Sequence, residues 1–98
     1  MHPDKVDRNQ LKKLTDLPNI GPAGAKDYQL LGYQDPQQLV GVSALHLYQQ
    51  LCATTGVQHD PCVLDVLLSV EHFLAGDAPK VWWAYTAQRR ALLEAAAI

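Results

Sequence analysis

Leu17-Pro18-Asn19-Ile20-Gly21-Pro22-Ala23-Gly24-Ala25-Lys26 decides the predicted fold, because these ten residues combine a helix end, a tight turn and a new helix start. Asn19 tolerates the left-handed backbone region, Gly21 leaves the main chain open to close approach, and Pro22 has its φ preset for a first helical position. The new helix would present free backbone N–H groups at the positive end of its dipole. The stretch therefore predicts a site for a phosphate that needs no charged side chain.

Outward from this stretch, apolar residues recur three and four positions apart, which is typical of amphipathic helices. Asp35, Ser43 and Asp60 are candidate N-caps, and Gly32 and Gly56 are candidate C-caps. The predicted helical segments are residues 8–16, 22–31, 36–40, 44–54, 61–75 and 79–96. We therefore expect a compact all-α domain of five to six short helices.

A chain of 98 residues is long enough for one domain with a modest core, so residues 1–98 are predicted to form a single domain. The formal net charge of −2 argues against a dedicated high-affinity DNA-binding protein, because such domains carry a basic surplus. The cations are nevertheless unevenly spread: Lys5, Arg8, Lys12 and Lys13 precede the central stretch and Lys26 ends it. This spacing predicts a local basic patch on a mildly acidic protein.

The sequence has no apolar run approaching the roughly 20 residues that a membrane span requires, and its N-terminal region lacks the apolar core of a secretory signal. We therefore expect a soluble cytoplasmic protein with no membrane partner. Cys52 and Cys62 are too few for a disulfide scaffold, and free thiols are expected in a reducing cytosol.

The run L-P-N-I-G-P-A-G-A-K resembles the hairpin of the helix-hairpin-helix family, and the motif would cover about residues 9–32. Members of that family typically bind DNA backbones without recognising sequence. The resemblance implies an all-α fold with two helices flanking the hairpin, and DNA as the partner.

A narrower similarity extends over most of the chain. Residues 14–23 and 59–66, together with the pair Trp82 and Trp83, are similar to a small bacterial family labelled pathogenicity-locus or mitomycin-resistance protein. Those labels describe genetic context or phenotype and imply no reaction.

The order of the predicted segments also suggests a weak internal repeat, in which residues 44–75 would form a degenerate second copy of the motif. The second turn, residues 54–61, lacks the Gly-Pro pair and places Asp60 at a helix start. A carboxylate there repels the anion that the first hairpin would attract. Only the first copy is predicted to contact a DNA backbone.

The predicted DNA contacts are the backbone N–H groups of Asn19, Gly21, Ala23 and Gly24 and the side chains of Lys12, Lys13 and Lys26. Contacts of this kind position a protein on DNA but specify no sequence. DNA-binding relatives commonly have Lys or Arg directly after the Gly-Pro pair, where this chain has Ala23, and that departure weakens the DNA interpretation. The alternative is a hairpin that packs two helices tightly or docks a protein partner.

The family resemblance further implies that the carbonyl groups of Thr15, Leu17 and Ile20 could hold a monovalent cation between hairpin and phosphate. Apart from this ion, no cofactor is expected.

Cys52, His59 and Cys62 have the spacing Cys-x6-His-x2-Cys and supply three ligand types that zinc accepts, but a fourth ligand is missing. The position of Cys62 in the first turn of a helix predicts a lowered thiol pKa, with His59 as a potential base and Asp60 opposing the effect. Metal binding or thiol chemistry is therefore a third, minor hypothesis.

Trp82 and Trp83 could stack nucleobases, but adjacent helical residues point about 100° apart and cannot form one platform. A packing role is the simpler interpretation. Arg89 and Arg90 are either phosphate contacts or a solvated helix end. The sequence contains no catalytic triad, nucleotide loop or dinucleotide fingerprint, and an enzyme is not expected.

These patterns favour weak, sequence-independent binding of the DNA backbone by the first hairpin, in an accessory factor for DNA repair, uptake or stress resistance. The alternative function is a protein-interaction adaptor built on the same helical scaffold, without DNA binding.

Overall fold

A computed structural model describes residues 1–97, and its regular structure in this range is entirely helical. The four α-helices are α1 (Pro22–Leu30), α2 (Ala44–Thr55), α3 (Cys62–Leu74) and α4 (Thr86–Ala96). Four short 3-10 turns lie at Pro3–Lys5, Leu14–Asp16, Pro36–Leu39 and Trp82–Tyr85. The all-α prediction is confirmed, although α-helices within residues 1–97 number four and not five or six.

The apolar helix α3 lies at the centre of the core. Its side chains Leu64, Leu68 and Phe73 are buried, and α2 packs along it through Leu47 and Tyr48. The turn at residues 82–85 and helix α4 pack against α3 as well. Removing these apolar surfaces from water is the main force that holds the short helices together, because helices of this length are marginal in isolation.

Local capping signals place most helix ends as predicted. Ser43 Oγ accepts a hydrogen bond from the His46 N–H at 3.2 Å at the start of α2, and Asp60 Oδ1 accepts one from the Cys62 N–H at 2.8 Å. Gly32 and Gly56 have φ values of 96° and 68°, the left-handed region that ends a helix at little cost for glycine. These helix ends depend on residues close in sequence, which is why the sequence pattern predicted them.

The predicted helix over residues 8–16 is wrong, since only Leu14–Asp16 form a 3-10 turn there. Asp16 Oδ2 accepts hydrogen bonds from the N–H groups of Lys12 and Lys13 at 2.9 and 2.8 Å. These bonds satisfy the backbone in a non-helical form, compete with a helix ladder, and lower the pKa of Asp16. The central hairpin is therefore preceded by a turn and not by a helix.

The predicted C-terminal helix over residues 79–96 also starts later than expected. A 3-10 turn precedes it, and the backbone of Tyr85, at φ −106° and ψ 8°, separates that turn from α4. Tyr85 is buried and stacks on the ring of His72 with centroids 5.0 Å apart. Burial of this ring against α3 fixes the direction in which α4 starts.

No helix within residues 1–97 is both long and apolar enough to cross a membrane.

The hydroxyl group of Tyr28 gives a stability prediction. Tyr28 is 1% exposed, its hydroxyl has no hydrogen-bond partner within residues 1–97, and burial raises its pKa. Tyr28→Phe is expected to raise the free energy of unfolding by roughly 1 kcal/mol, because the unpaired hydroxyl is lost while the ring packing stays. Urea denaturation followed by circular dichroism measures the change.

Tyr48→Phe is the matched control, because the Tyr48 hydroxyl donates a hydrogen bond to the His59 carbonyl. Its removal is expected to lower stability by roughly 1 kcal/mol. A Tyr28→Phe protein less stable than the wild type would contradict the unpaired state of that hydroxyl.

Candidate functional site

The hairpin between the Leu14–Asp16 turn and α1 has the predicted backbone. Asn19 has a φ of 64°, and it is the one non-glycine residue within 1–97 with a positive φ. Gly21 is the N-cap of α1 and Pro22 occupies its first helical position. The left-handed residue reverses the chain, so that α1 starts at the surface while Leu17 and Ile20 are buried beneath it.

The start of α1 leaves backbone donors free. No acceptor within residues 1–97 takes the N–H groups of Gly21, Ala23 or Gly24, and no side chain caps the helix. Pro22 has no N–H, and the first donor of the helical ladder is Ala25, which bonds to the Gly21 carbonyl at 3.0 Å. Three free donors at the positive end of a helix dipole are the arrangement that accepts an anion.

Gly21 keeps this helix start open. Its φ of −98° is available to any residue, and a Cβ added there would meet no atom within 4 Å. The fold therefore gives no internal reason for glycine at this position. An approaching ligand, by contrast, gains an unobstructed path to the backbone.

Asn19 is not available as the phosphate donor that the sequence predicted. Its N–H donates to the Met1 carbonyl at 2.7 Å, and its side-chain amide donates to Ser69 Oγ at 2.9 Å and to the Lys80 carbonyl at 2.8 Å. These partners are distant in sequence, so no local pattern could indicate them. Asn19 shapes the hairpin and braces it against α3 and the segment before residue 82.

The Met1 nitrogen contacts the hairpin from inside, which the sequence pattern did not indicate. This group donates to the carbonyls of Leu17 at 2.9 Å and Ile20 at 2.7 Å, and partial burial lowers its pKa. Two of the three carbonyls predicted to hold a monovalent cation, those of Leu17 and Ile20, thus accept hydrogen bonds from the same nitrogen. The Thr15 carbonyl takes no part in this contact.

The predicted basic patch is divided in the structure. Lys26 is exposed on the second turn of α1, on the helix whose start is open. Lys12 and Lys13 line a cleft along the flank of α1, beside Ala25 and Gln29. These two residues therefore lie beside the flank of the helix and not at its N-terminus.

Arg8, a further cation of the predicted patch, has a packing role. Its guanidinium donates to the carbonyls of Phe73 at 2.6 Å and Asp77 at 2.7 Å, and it lies 4.0 Å from the centroid of the Phe73 ring. These contacts satisfy carbonyl groups at the end of α3 and hold the N-terminal segment against it.

Arg89, a candidate phosphate contact, is engaged inside the protein. Its Nε donates to Asp65 Oδ1 at 2.8 Å, and Thr86 Oγ1 donates to the other carboxylate oxygen at 2.6 Å. Asp65 is fully buried, and Thr86 and Arg89 of α4 cover its carboxylate. Arg90 is exposed and is the member of the pair that is open to solvent.

An apolar cleft of about 360 Å³ lies between the hairpin and α3. Its walls include Ile20 and Gly24 on one side and Val63, Val66 and Leu67 on the other. The carboxylate of α1 that lines the same cleft is Asp27, which opposes an anion at this position.

The prediction that the pKa of the Cys62 thiol is lowered is wrong. A hydrogen bond with Asp60 raises the pKa of Cys62, with desolvation adding to the effect. The ring of His59 pairs with Thr55 Oγ1 at 2.9 Å. No three His, Cys, Asp or Glu residues within 1–97 converge as metal ligands, so Cys52 does not join these two in a zinc site.

Trp82 and Trp83 lie in the 3-10 turn before α4 and meet edge to face, with centroids 5.3 Å apart and planes at 88°. They form no common platform, as predicted. Trp83 is 60% exposed, and both rings line a cleft of about 350 Å³ whose other wall includes Asn19 and Gly21. The structure therefore brings the tryptophan pair beside the hairpin, which the sequence did not indicate.

The two adjacent arginines give a matched pair of variants. Arg89→Ala leaves the buried Asp65 carboxylate without its cation, and the urea midpoint is expected to fall by on the order of 1 M. Arg90→Ala removes an exposed cation and is expected to leave the midpoint nearly unchanged. Equal midpoints for the two variants would contradict the internal role of Arg89.

The raised pKa of Cys62 predicts slow alkylation, because the thiolate is the reactive form. In a Cys52→Ala background, Cys62 is expected to react with iodoacetamide several-fold more slowly at pH 7 than an unperturbed thiol. Asp60→Asn removes the charge that raises the pKa and is expected to accelerate the reaction. The alkylation rate as a function of pH gives the pKa of Cys62 directly. A pKa below that of a free thiol would contradict the raised pKa.

The chain is similar to proteins of a known family. The sequence profile of the family described as pathogenicity locus, Cdd1, matches residues 7–91. Mitomycin resistance protein McrB of Streptomyces lavendulae is 34% identical over 80 residues, which cover 82% of this chain and 76% of that protein. No solved structure matches the chain significantly. The profile match and the identity to McrB together show that the chain belongs to the pathogenicity-locus family.

Proposed function

We propose that this protein binds DNA weakly and without sequence preference through the open start of α1, as an accessory factor in DNA repair, uptake or stress resistance. The observation that carries the proposal is the set of free N–H groups at Gly21, Ala23 and Gly24, with an unobstructed approach at Gly21. Similarity to a protein named for mitomycin resistance supports the accessory role.

The charges near the hairpin support weak rather than strong binding. Lys26 favours a phosphate, whereas Asp27 and the net charge of −2 oppose it. A site of this size neutralises one or two phosphates. The logarithm of the binding constant should then fall with the logarithm of the salt concentration with a slope of about −1 to −2.

The variant that tests the proposal is Gly21→Asp. An aspartate at the N-cap can accept the free N–H groups itself, so the fold is retained or slightly stabilised. Its carboxylate occupies the place of the phosphate, and affinity for DNA is expected to fall about tenfold or more. Amide resonances of residues 21–26, followed during DNA titration at two salt concentrations, measure the binding.

Val57→Asp is the matched control, because it makes the same change in net charge at an exposed position in the turn between α2 and α3. It is expected to weaken binding only slightly. A Gly21→Asp protein that binds like Val57→Asp, or wild-type resonances that do not move at low salt, would refute DNA binding by the hairpin. Survival of strains carrying each variant under mitomycin then tests the accessory role.

The second candidate function is a protein-interaction adaptor, and the observation that favours it is the apolar cleft between the hairpin and α3. Such a cleft suits an apolar side chain of a partner better than a phosphate. Val66→Ser at the wall of the cleft would weaken a protein complex and leave DNA binding unchanged. A protein that never retards DNA but loses a partner in this variant would select the adaptor.

A further inference from the structure

We infer that Trp83 stacks on an unpaired base of the strand whose phosphate lies at the start of α1, so that the preferred ligand is single-stranded DNA. The inference rests on the proposed function and deepens it, because it names the form of DNA that the hairpin would bind.

Hydrogen bonds of the Asn19 side chain brace the hairpin against the segment that precedes the tryptophan pair. The Asn19 side-chain amide donates to the Lys80 carbonyl and to Ser69 Oγ, linking the hairpin turn to α3 and to a segment 61 residues later in the chain. Because Lys80 lies two residues before the Trp82–Tyr85 turn, this brace holds that turn beside the hairpin. These hydrogen bonds hold the segment that precedes Trp83 close to the hairpin turn.

The hairpin and the tryptophan pair line one cleft. Asn19 and Gly21 of the hairpin line the same cleft as Trp82 and Trp83, together with Met1 and His2. At about 350 Å³ the cleft has room for one nucleobase. A strand that places its phosphate on the free N–H groups would have its base within this same surface.

The Trp83 side chain is exposed to solvent. Trp83 is 60% exposed, whereas Tyr85 in the same turn is 7% exposed, so packing has buried one aromatic side chain and left the other in solvent. The edge-to-face contact with Trp82 restricts the ring before any ligand arrives. Restricted, exposed aromatic rings are what single-strand binders offer to bases, since every base has a face on which to stack.

Stacking on Trp83 favours single-stranded DNA over duplex DNA. In a duplex, both faces of each base are already stacked on neighbours, and exposing one carries the free-energy cost of unstacking and unpairing it. A chain with a net charge of −2 and one or two phosphate contacts cannot recover that cost by counterion release. An unpaired base offers its face freely, so stacking supplies the affinity that the charges do not.

The experiment compares three ligands at low salt: oligo-dT, an abasic deoxyribose-phosphate oligomer of the same length, and a duplex. Trp83→Ala is expected to lower affinity for oligo-dT roughly tenfold and to leave the other two affinities unchanged. Trp83→Phe should keep most of the preference for oligo-dT. Leu30→Ala, which removes another exposed apolar side chain on α1, is the control and should bind like the wild type.

Fluorescence gives a second, independent measurement. In a Trp82→Phe background Trp83 is the single tryptophan of the chain, and oligo-dT should quench its emission whereas the abasic oligomer should not.

Three results would overturn the inference: equal wild-type affinity for oligo-dT and the abasic oligomer, an unchanged affinity of Trp83→Ala for oligo-dT, or equal losses for all three ligands. The proposed function fails separately. Binding to the duplex that depends on Gly21 but not on Trp83 retains the hairpin and refutes stacking, whereas no binding of any DNA refutes the hairpin itself.

Discussion

The hydrogen bonds of Asn19 are the constraint on which the rest of the surface depends. Its left-handed backbone reverses the chain before α1, and its side chain joins that reversal to Ser69 in α3 and to the Lys80 carbonyl. One residue therefore fixes both the open helix start and the position of the tryptophan turn. Both N–H groups of this amide are used for these bonds, so neither is left for a phosphate, and the free donors are those that follow Asn19 in the chain.

The cations of this chain divide between packing and solvent, and that division limits what the protein can bind. Arg8 caps carbonyl groups at the end of α3, and Arg89 neutralises the buried carboxylate of Asp65. The charge of Arg89 is compensated by the Asp65 carboxylate, so this arginine contributes little to counterion release from DNA. Lys26 stays in solvent on α1, the helix whose start is open. Backbone dipoles and an aromatic ring thus have more weight in the proposed site than side-chain charge.

Sequence patterns predicted those elements whose ends are set by neighbouring residues. The starts of α2 and α3 and the glycine ends at Gly32 and Gly56 follow from capping groups that bond within a few residues. The helix expected over residues 8–16 failed because Asp16 bonds back to the chain and offers the backbone another solution. Apolar spacing alone could not reveal that competition, since leucines three apart fit a turn as well as a short helix.

The all-α class, most helix boundaries and the hairpin with its open glycine could be predicted from the sequence, because each follows from the φ preferences and hydrogen-bonding groups of adjacent residues. Tertiary structure decided which groups remain available to a ligand. It removed Asn19 and Arg89 by pairing them with partners far along the chain, and it brought Trp83 beside Gly21. These outcomes depend on contacts between distant residues, and only the packing of α3 against its neighbours sets them.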